Sequence, residues 1–556
     1  MSKRFSANGS EERMKTTSRK TKLCCLSSFL RSLRTVDYFD VMKRWQPVSE
    51  SSLNRILQAA EEAWQSGDPQ QAIEQLDRAS RLAPADYRIL LRLGQIYGFC
   101  YDYVSAEKSF EKALRIAPNK NEMLAAVARH STDFADHKLA ELYFQRSTER
   151  DDVKPETLVR LAELYEHLHR VEEASSLIER ALQSDAAHPL ALLARARLER
   201  QAGHLEESER LLRSVLITTD RETKIRGYYE LGLVLDGQKR YDEAMSTFLE
   251  AKAMLRVEAA PLIEPFKALR ARLTRMQSSI SAGMFQRWFD ASPALQPPRR
   301  LALLCGHPRS GTTLLEQVLD SHPDITSVEE TNIFTTYAYN PLARRAEGGP
   351  LMLEVLESAA HSALNQSRQN YFSTVELHLG RSIGHRMLID KNPSFNFFIP
   401  AYVRVFPEVK ILAALRDPRD VCLSCFMQPI IPLSQRSTAY LSISDTVEEY
   451  VATMAIWRTL KPLLQHRSLE VHYEDLVGDL EAVSRRTLGF LGVSWDERVM
   501  HFDAHARTKR VRSPTYADVT KPISTRAMGR WRNYQKYLEP HLEKLDPFLK
   551  AFGYAD

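Results

Sequence analysis

The sequence predicts an α-helical repeat solenoid over residues 51–283 and an α/β domain with a central parallel sheet over residues 299–556. Three observations predict it. Small residues recur with a period of about 34 through the N-terminal half. After Pro293, Pro297 and Pro298 the pattern changes to short apolar runs alternating with longer helical stretches. A glycine-rich turn then joins an apolar run to an amphipathic one, as in P-loop-like folds.

At 556 residues the chain is too long for one hydrophobic core. Its 44% apolar and 26% charged content is that of a globular protein, and 76 basic against 71 acidic residues is too balanced for a nucleic-acid binder. The longest apolar runs, such as Leu301–Cys305 and Ile411–Leu415, fall far short of the roughly 20 residues that span a bilayer, and read as buried strands. Residues 1–50 read as a basic, Ser-rich, disordered tail, with lipidation at Cys24 and Cys25 or a transit peptide as alternatives. Six cysteines without paired spacing point to a reducing, cytoplasmic setting.

In the repeats, Ala72, Ala106, Ala140, Ala174, Ser208 and Ala244 occupy equivalent positions. A bulky residue follows each by one helical turn: Leu76, Phe110, Phe144, Ile178, Leu212 and Phe248. Another small or β-branched residue comes next on the same face, from Ala79 to Ala251. Upstream of each set a further small residue lies on a preceding helix: Ala60, Gly94, Ala128, Ala162, Ala196 or Gly232. Small residues let paired helices approach while one large side chain fills the gap. The pattern resembles about six tetratricopeptide repeats, a fold that can hold an acceptor or protein partner, bind a second subunit or only pack against the C-terminal domain. Residues 284–298 read as a linker.

Beyond the linker, Arg300–Cys305 is a candidate strand, Gly306–Thr313 (GHPRSGTT) a glycine-rich loop, and Leu314–His322 a helix. Such a turn aims free backbone N–H groups at an anion. Four residues separate Gly306 from Gly311 as in a nucleotide P-loop, but Thr312 stands where that motif has lysine. The run PRSGTTLLEQVLDSHPDITSVEET, Pro308–Thr331, resembles the 5′-phosphosulfate loop of the tyrosylprotein sulfotransferases and of bacterial proteins joining tetratricopeptide repeats to a sulfotransferase. The resemblance implies a donor, 3′-phosphoadenosine-5′-phosphosulfate, that does not require the missing lysine. It places Arg309, Ser310, Gly311, Thr312 and Thr313 at the 5′-phosphosulfate and makes Glu330 the general base, with Glu329 as the fallback. An acceptor hydroxyl independently calls for such a base, because its pKa lies far above 7.

Downstream, KILAALRDPRDVCLSCF, Lys410–Phe426, reads as a strand entering a helix. It resembles the family's 3′-phosphate motif, in which an Arg and a Ser at the spacing of Arg416 and Ser424 hold the phosphate that distinguishes this donor from ATP. Gln428 replaces a further family arginine. Cys422 and Cys425 form a lone CxxC and read as packing residues. The resemblance gives Lys391 the oxygen bridging phosphate and sulfate, where a cation stabilises the leaving group. It also sets Tyr473 near the adenosine and makes Lys521 a donor ligand, while Gly529, Arg530 and Trp531 read as structural. No metal-ligand cluster stands out, and the implied enzyme is a metal-independent, donor-dependent sulfotransferase. Two rivals remain. A P-loop kinase or NTPase would need a phosphate lysine and Mg²⁺ ligands, and a repeat scaffold with an inactive domain would lack the base and Lys391. The acceptor is left open among peptide tyrosine, sugar and small-molecule hydroxyls.

Overall fold

The computed structural model describes residues 52–134, 136–344, 352–429, 434, 436–507 and 519–555. The basic tail read over residues 1–50 lies outside them. Twelve helices form the array in six consecutive hairpins: α1 (Ser52–Gln65) and α2 (Pro69–Leu82), α3 (Tyr87–Phe99) and α4 (Tyr103–Ile116), α5 (Lys120–Asp133) and α6 (His137–Thr148), α7 (Pro155–His167) and α8 (Val171–Ser184), α9 (Pro189–Ala202) and α10 (Leu205–Val215), then α11 (Arg221–Gly237) and α12 (Tyr241–Ser278). The repeat anchors Ala72, Ala106, Ala140, Ala174, Ser208 and Ala244 are all fully buried, on the second helix of each pair. A Cβ at Gly94 would lie 2.4 Å from the Phe110 ring, and one at Gly232 2.5 Å from the Phe248 ring. Those glycines therefore make room for the two phenylalanines, and an alanine at either would overpack the hairpin at a cost of about 1–3 kcal/mol. Side chains of Asp68, Asp86, Asp102, Asn119 and Asp136 accept from first-turn N–H groups and fix where five of the helices begin.

From the end of the predicted repeats into the segment read as a linker the chain forms helix α13, Ala282–Asp290, with Met284, Phe285, Trp288 and Phe289 buried. Reading back from the prolines hid this amphipathic turn, because all three follow it.

The C-terminal domain is built on five parallel strands in the order β2-β3-β1-β4-β5: β1 Leu301–Gly306, β2 Ile325–Glu329, β3 Met387–Lys391, β4 Lys410–Leu415 and β5 Ser468–His472. β1, β3 and β4 are buried almost throughout, as a sheet covered on both faces requires. Helices α14 (Thr312–Asp320), α15 (His361–Leu379), α16 (Pro418–Phe426) and α17 (Ile443–Leu460) flank it. The chain leaves β1 toward β2 on one side and later reaches β4 on the other, so the carboxyl ends of the central strands open a crevice of the kind that holds ligands in open α/β sheets.

The array and this domain share one hydrophobic core, which runs from Leu235, Phe248 and Leu255 through Trp288 to Leu303 and Trp457. Polar contacts reinforce it. The Tyr534 hydroxyl donates to Asp236 at 2.6 Å, Arg530 pairs with Asp236 at 2.8 Å, and Arg270 on α12 pairs with Glu448 on α17 at 2.8 Å. No helix among the described residues is long and apolar enough to cross a membrane.

Candidate functional site

Each of the five strands ends at a residue singled out by its sequence. β1 runs into the Arg309 loop, β2 into Glu329 and Glu330, β3 ends on Lys391, β4 is followed by Arg416, and β5 by Tyr473. The parallel sheet thus gathers on one edge side chains that lie as far as 164 positions apart, counting from Arg309 to Tyr473.

The loop after β1 closes on itself. The Ser310 hydroxyl donates to the His307 carbonyl at 2.5 Å and accepts from the His307 N–H at 3.3 Å. Gly311, at φ +91°, begins α14 and provides no side-chain cap, leaving the first amides of that helix without the partner a Ser or Asp would supply. Only glycine fits there, since a Cβ would stand 2.7 Å from the Tyr473 ring. Arg309, also at positive φ (+73°), donates from Nε to the Ser424 hydroxyl at 3.1 Å. Arg416 donates from Nη1 to the Arg309 carbonyl at 3.2 Å, and its guanidinium carbon stands 4.9 Å from the centre of the Tyr473 ring. Arg309, Gly311, Arg416, Ser424 and Tyr473 are therefore one contiguous cluster. Thr312 and Thr313 sit buried at the start of α14 beside it.

Arg416 is buried, and its Nε has no hydrogen-bond partner among the described residues. A buried guanidinium N–H left unmet is costly, and an anion at this point would satisfy it. The C-terminal segment is drawn onto the same region. Arg416 Nη2 donates to the Ala527 carbonyl, and the Asp420 carboxylate accepts from Gly529 N at 2.7 Å and Trp531 N at 2.8 Å. Burial raises the Asp420 pKa, and nearby Arg416 only partly offsets this. Lys521 is exposed on this segment. At the far end of α16 the array intervenes, with Lys252 of α12 donating to the Gln428 carbonyl at 3.2 Å. Burial holds that lysine well below its ordinary pKa.

The second cluster is ionic. Lys391 Nζ, fully buried, lies 2.7 Å from Glu330 Oε1, 3.0 Å from Glu329 Oε1 and 3.9 Å from Glu316 Oε2. Burial alone would lower the lysine's pKa, but the carboxylates of Glu330, Glu329 and Glu316 outweigh it and hold the group cationic, above its ordinary value. The two successive glutamates differ in setting. Glu329 closes β2 with its side chain 11% exposed, whereas Glu330 is 43% exposed and open to a reactant. Glu330 has φ +50°, a left-handed conformation that costs a non-glycine residue about 1–2 kcal/mol. Its N–H donates to the Lys391 carbonyl at 2.7 Å, which continues the sheet by one bond past the strand and turns the side chain back over the lysine.

Glu316 was not legible from its sequence. Leu315, Val318 and Leu319 mark the apolar face of α14, which leaves Glu316 on the side expected to meet water. It is instead fully buried, bonded to the Ser327 hydroxyl at 2.6 Å and facing Lys391. The adjacent Asp390 is buried between the hydroxyls of Tyr371 (2.6 Å) and Tyr402 (2.5 Å), and burial pushes its pKa up to about 6. Cys422 and Cys425 are free, buried thiols, and burial pushes Cys425 up to about 12, as suits packing residues.

Comparison with known proteins agrees with this architecture. Residues 302–497 match the model of a sulfotransferase family, and residues 57–121 and 225–254 match tetratricopeptide repeats. An uncharacterised protein of Aquifex aeolicus is 24% identical over 342 residues, covering 59% of this chain and 42% of its own length. Protein-tyrosine sulfotransferase 1 of Danio rerio is 24% identical over 261 residues, covering 46% of this chain and 72% of its own. Among solved structures, the sulfotransferase domain of the Synechococcus PCC 7002 olefin synthase has 23% identity and a TM-score of 0.32, covering 43% of this chain and 88% of that one. The chain thus spans less than half the length of the Aquifex protein.

Proposed function

The C-terminal domain is a sulfotransferase-family domain preceded by tetratricopeptide repeats, and from that premise we propose that the chain transfers a sulfuryl group from 3′-phosphoadenosine-5′-phosphosulfate to an acceptor hydroxyl. The observation that carries the proposal is the meeting of Arg309, Arg416 and Ser424 at the ends of β1 and β4, with Arg416 Nε unmet. Two guanidiniums and a hydroxyl flanking a lysine-free phosphate loop suit a donor that carries phosphate at both ends of its ribose. When bound, the donor supplies an activated sulfuryl group on its 5′-phosphate. The chain would hold that end with the loop from Arg309 to Thr313, and the 3′-phosphate with Arg416 and Ser424.

Glu330, half-exposed above buried Lys391, accepts the proton of the acceptor hydroxyl. Lys391 has two tasks in this reading. It orients the Glu330 carboxylate, and it places a fixed positive charge where a departing phosphate gains negative charge. Tyr473 walls the loop beside Gly311. Lys521 lies on the C-terminal segment that meets Arg416 at Ala527, and would be a further donor ligand.

Likeness to protein-tyrosine sulfotransferases favours a polypeptide tyrosine as the acceptor, and the array offers the extended surface that would hold such a chain. Incubating the full-length protein and cell extract with donor bearing radiolabelled sulfate tests this reading directly. Label should enter protein, and alkaline hydrolysis, which spares an aryl sulfate ester, should return it on tyrosine. Label confined to glycans or small molecules would reassign the acceptor, and no transfer at all would reject the activity.

A further inference from the structure

The turn between α3 and α4, in the second repeat, reaches the catalytic domain directly after the candidate base. The N–H of Asn332 donates to the Tyr101 hydroxyl at 3.1 Å, and the Tyr337 hydroxyl donates to the Cys100 carbonyl at 3.4 Å. Alongside, the Tyr103 hydroxyl lies 2.9 Å from His378 Nδ1 on α15, and the Tyr101 ring packs edge-on against His378 with centroids 4.9 Å apart. Tyr101 itself is buried and has φ +67°, the left-handed turn position that Gly67, His169 and Gly203 occupy in other hairpins of the array.

The consequence falls on Glu330. Its left-handed backbone is held on one side by its own N–H bond to the Lys391 carbonyl. Two residues on, the chain is held again at Asn332, whose carbonyl accepts from Thr336 N at 2.9 Å and so opens the following helical segment. A sparsely populated conformation persists only where its surroundings over-determine it. Here one of the backbone restraints comes from the repeat array. We infer that Tyr101 is a positioning residue for Glu330: its hydroxyl fixes the Asn332 amide and thereby the geometry of the base, so that the array completes the catalytic site as well as offering a binding surface. This rests on Glu330 being the base.

The test uses the full chain and the acceptor that takes label in the extract experiment. Tyr101→Phe removes the hydroxyl and keeps the ring against His378. It is expected to lower kcat about 3- to 10-fold, the worth of one hydrogen bond, with donor KM unchanged. Tyr103→Phe removes a hydroxyl that bonds His378 and not the segment after Glu330, and should leave kcat as it is. Tyr337→Phe, a second variant acting from the catalytic side of the interface, should lower kcat in the same direction as Tyr101→Phe. In a Glu330→Gln background Tyr101→Phe should have no further effect on residual turnover, since the group it positions is already gone. Equal kcat for Tyr101→Phe and the parent, with Glu330→Gln inactive, would overturn the positioning role alone. Full activity of Glu330→Gln would instead overturn the reading on which it rests.

Discussion

Arg309 Nε donates to the Ser424 hydroxyl at 3.1 Å, tying the loop after β1 to the helix after β4. A ligand with anionic groups at both places would replace this internal contact with two charge-assisted ones. The desulfated product, carrying both phosphates, should therefore protect the full chain against heat. At about one hundred times its Kd, mass action adds about 2.7 kcal/mol, an upward shift of a few degrees for a chain of this size. ATP at the same concentration should do little, and equal protection by ATP in a thermal-shift assay would refute a dedicated 3′-phosphate site.

Glu330→Gln should lower turnover by about 10²- to 10⁴-fold and leave product affinity nearly unchanged, because the amide keeps the size of the side chain but cannot take the proton. Glu329→Gln should be milder. Glu329 lies almost out of solvent and shares Lys391 at 3.0 Å, so its loss shifts the lysine without removing the base. The reverse ranking in initial-rate measurements would move the base by one residue.

Asp390 gives a pH signature. Its folded-state pKa is raised by burial to about 6, from 3.8 in the open chain. Between those values the native state holds a proton that the unfolded state has lost, so this group's contribution to stability falls as pH rises from about 4 to about 6 and is constant above. Asp390→Asn removes that term while still accepting from Tyr371 or Tyr402. The melting temperature of the variant minus that of the parent should therefore become more favourable across that window. A difference that stays flat from pH 4 to pH 7 would show that Asp390 is not raised.

Much of this was legible because it is local. The repeat anchors announce themselves by small residues on two helices, and the site residues stand directly after apolar strand runs, where a parallel sheet must deliver them to one edge. What escaped depends on tertiary partners. Glu316 looks like a solvated helix residue until Lys391, 75 positions later, is folded beside it. Tyr101 looks like an ordinary turn residue, since nothing nearby in sequence shows that the turn meets Asn332. Helix α13 was hidden by prolines that in fact follow it.

The same lesson governs whether the two halves can be separated. All the candidate donor contacts follow Arg299, which on sequence alone suggests that removing residues 1–282 would leave a donor-binding domain. The structure argues against a clean cut. Leu231, Val234 and Leu235 of α11, with Phe248 and Leu255 of α12, belong to the same buried cluster as Leu303 and Trp457 of the C-terminal domain. Removing them would bare a continuous apolar face, strip Asp236 from Tyr534 and Arg530, and take away the turn that holds Asn332. The fragment beginning at residue 283 is therefore expected to be insoluble or to elute as aggregate in size-exclusion chromatography, whereas the full chain runs as a defined species. A soluble fragment that melts cooperatively and is protected by the desulfated product would show that the shared core is dispensable, and that the array is an appendage rather than part of one fold with the C-terminal domain.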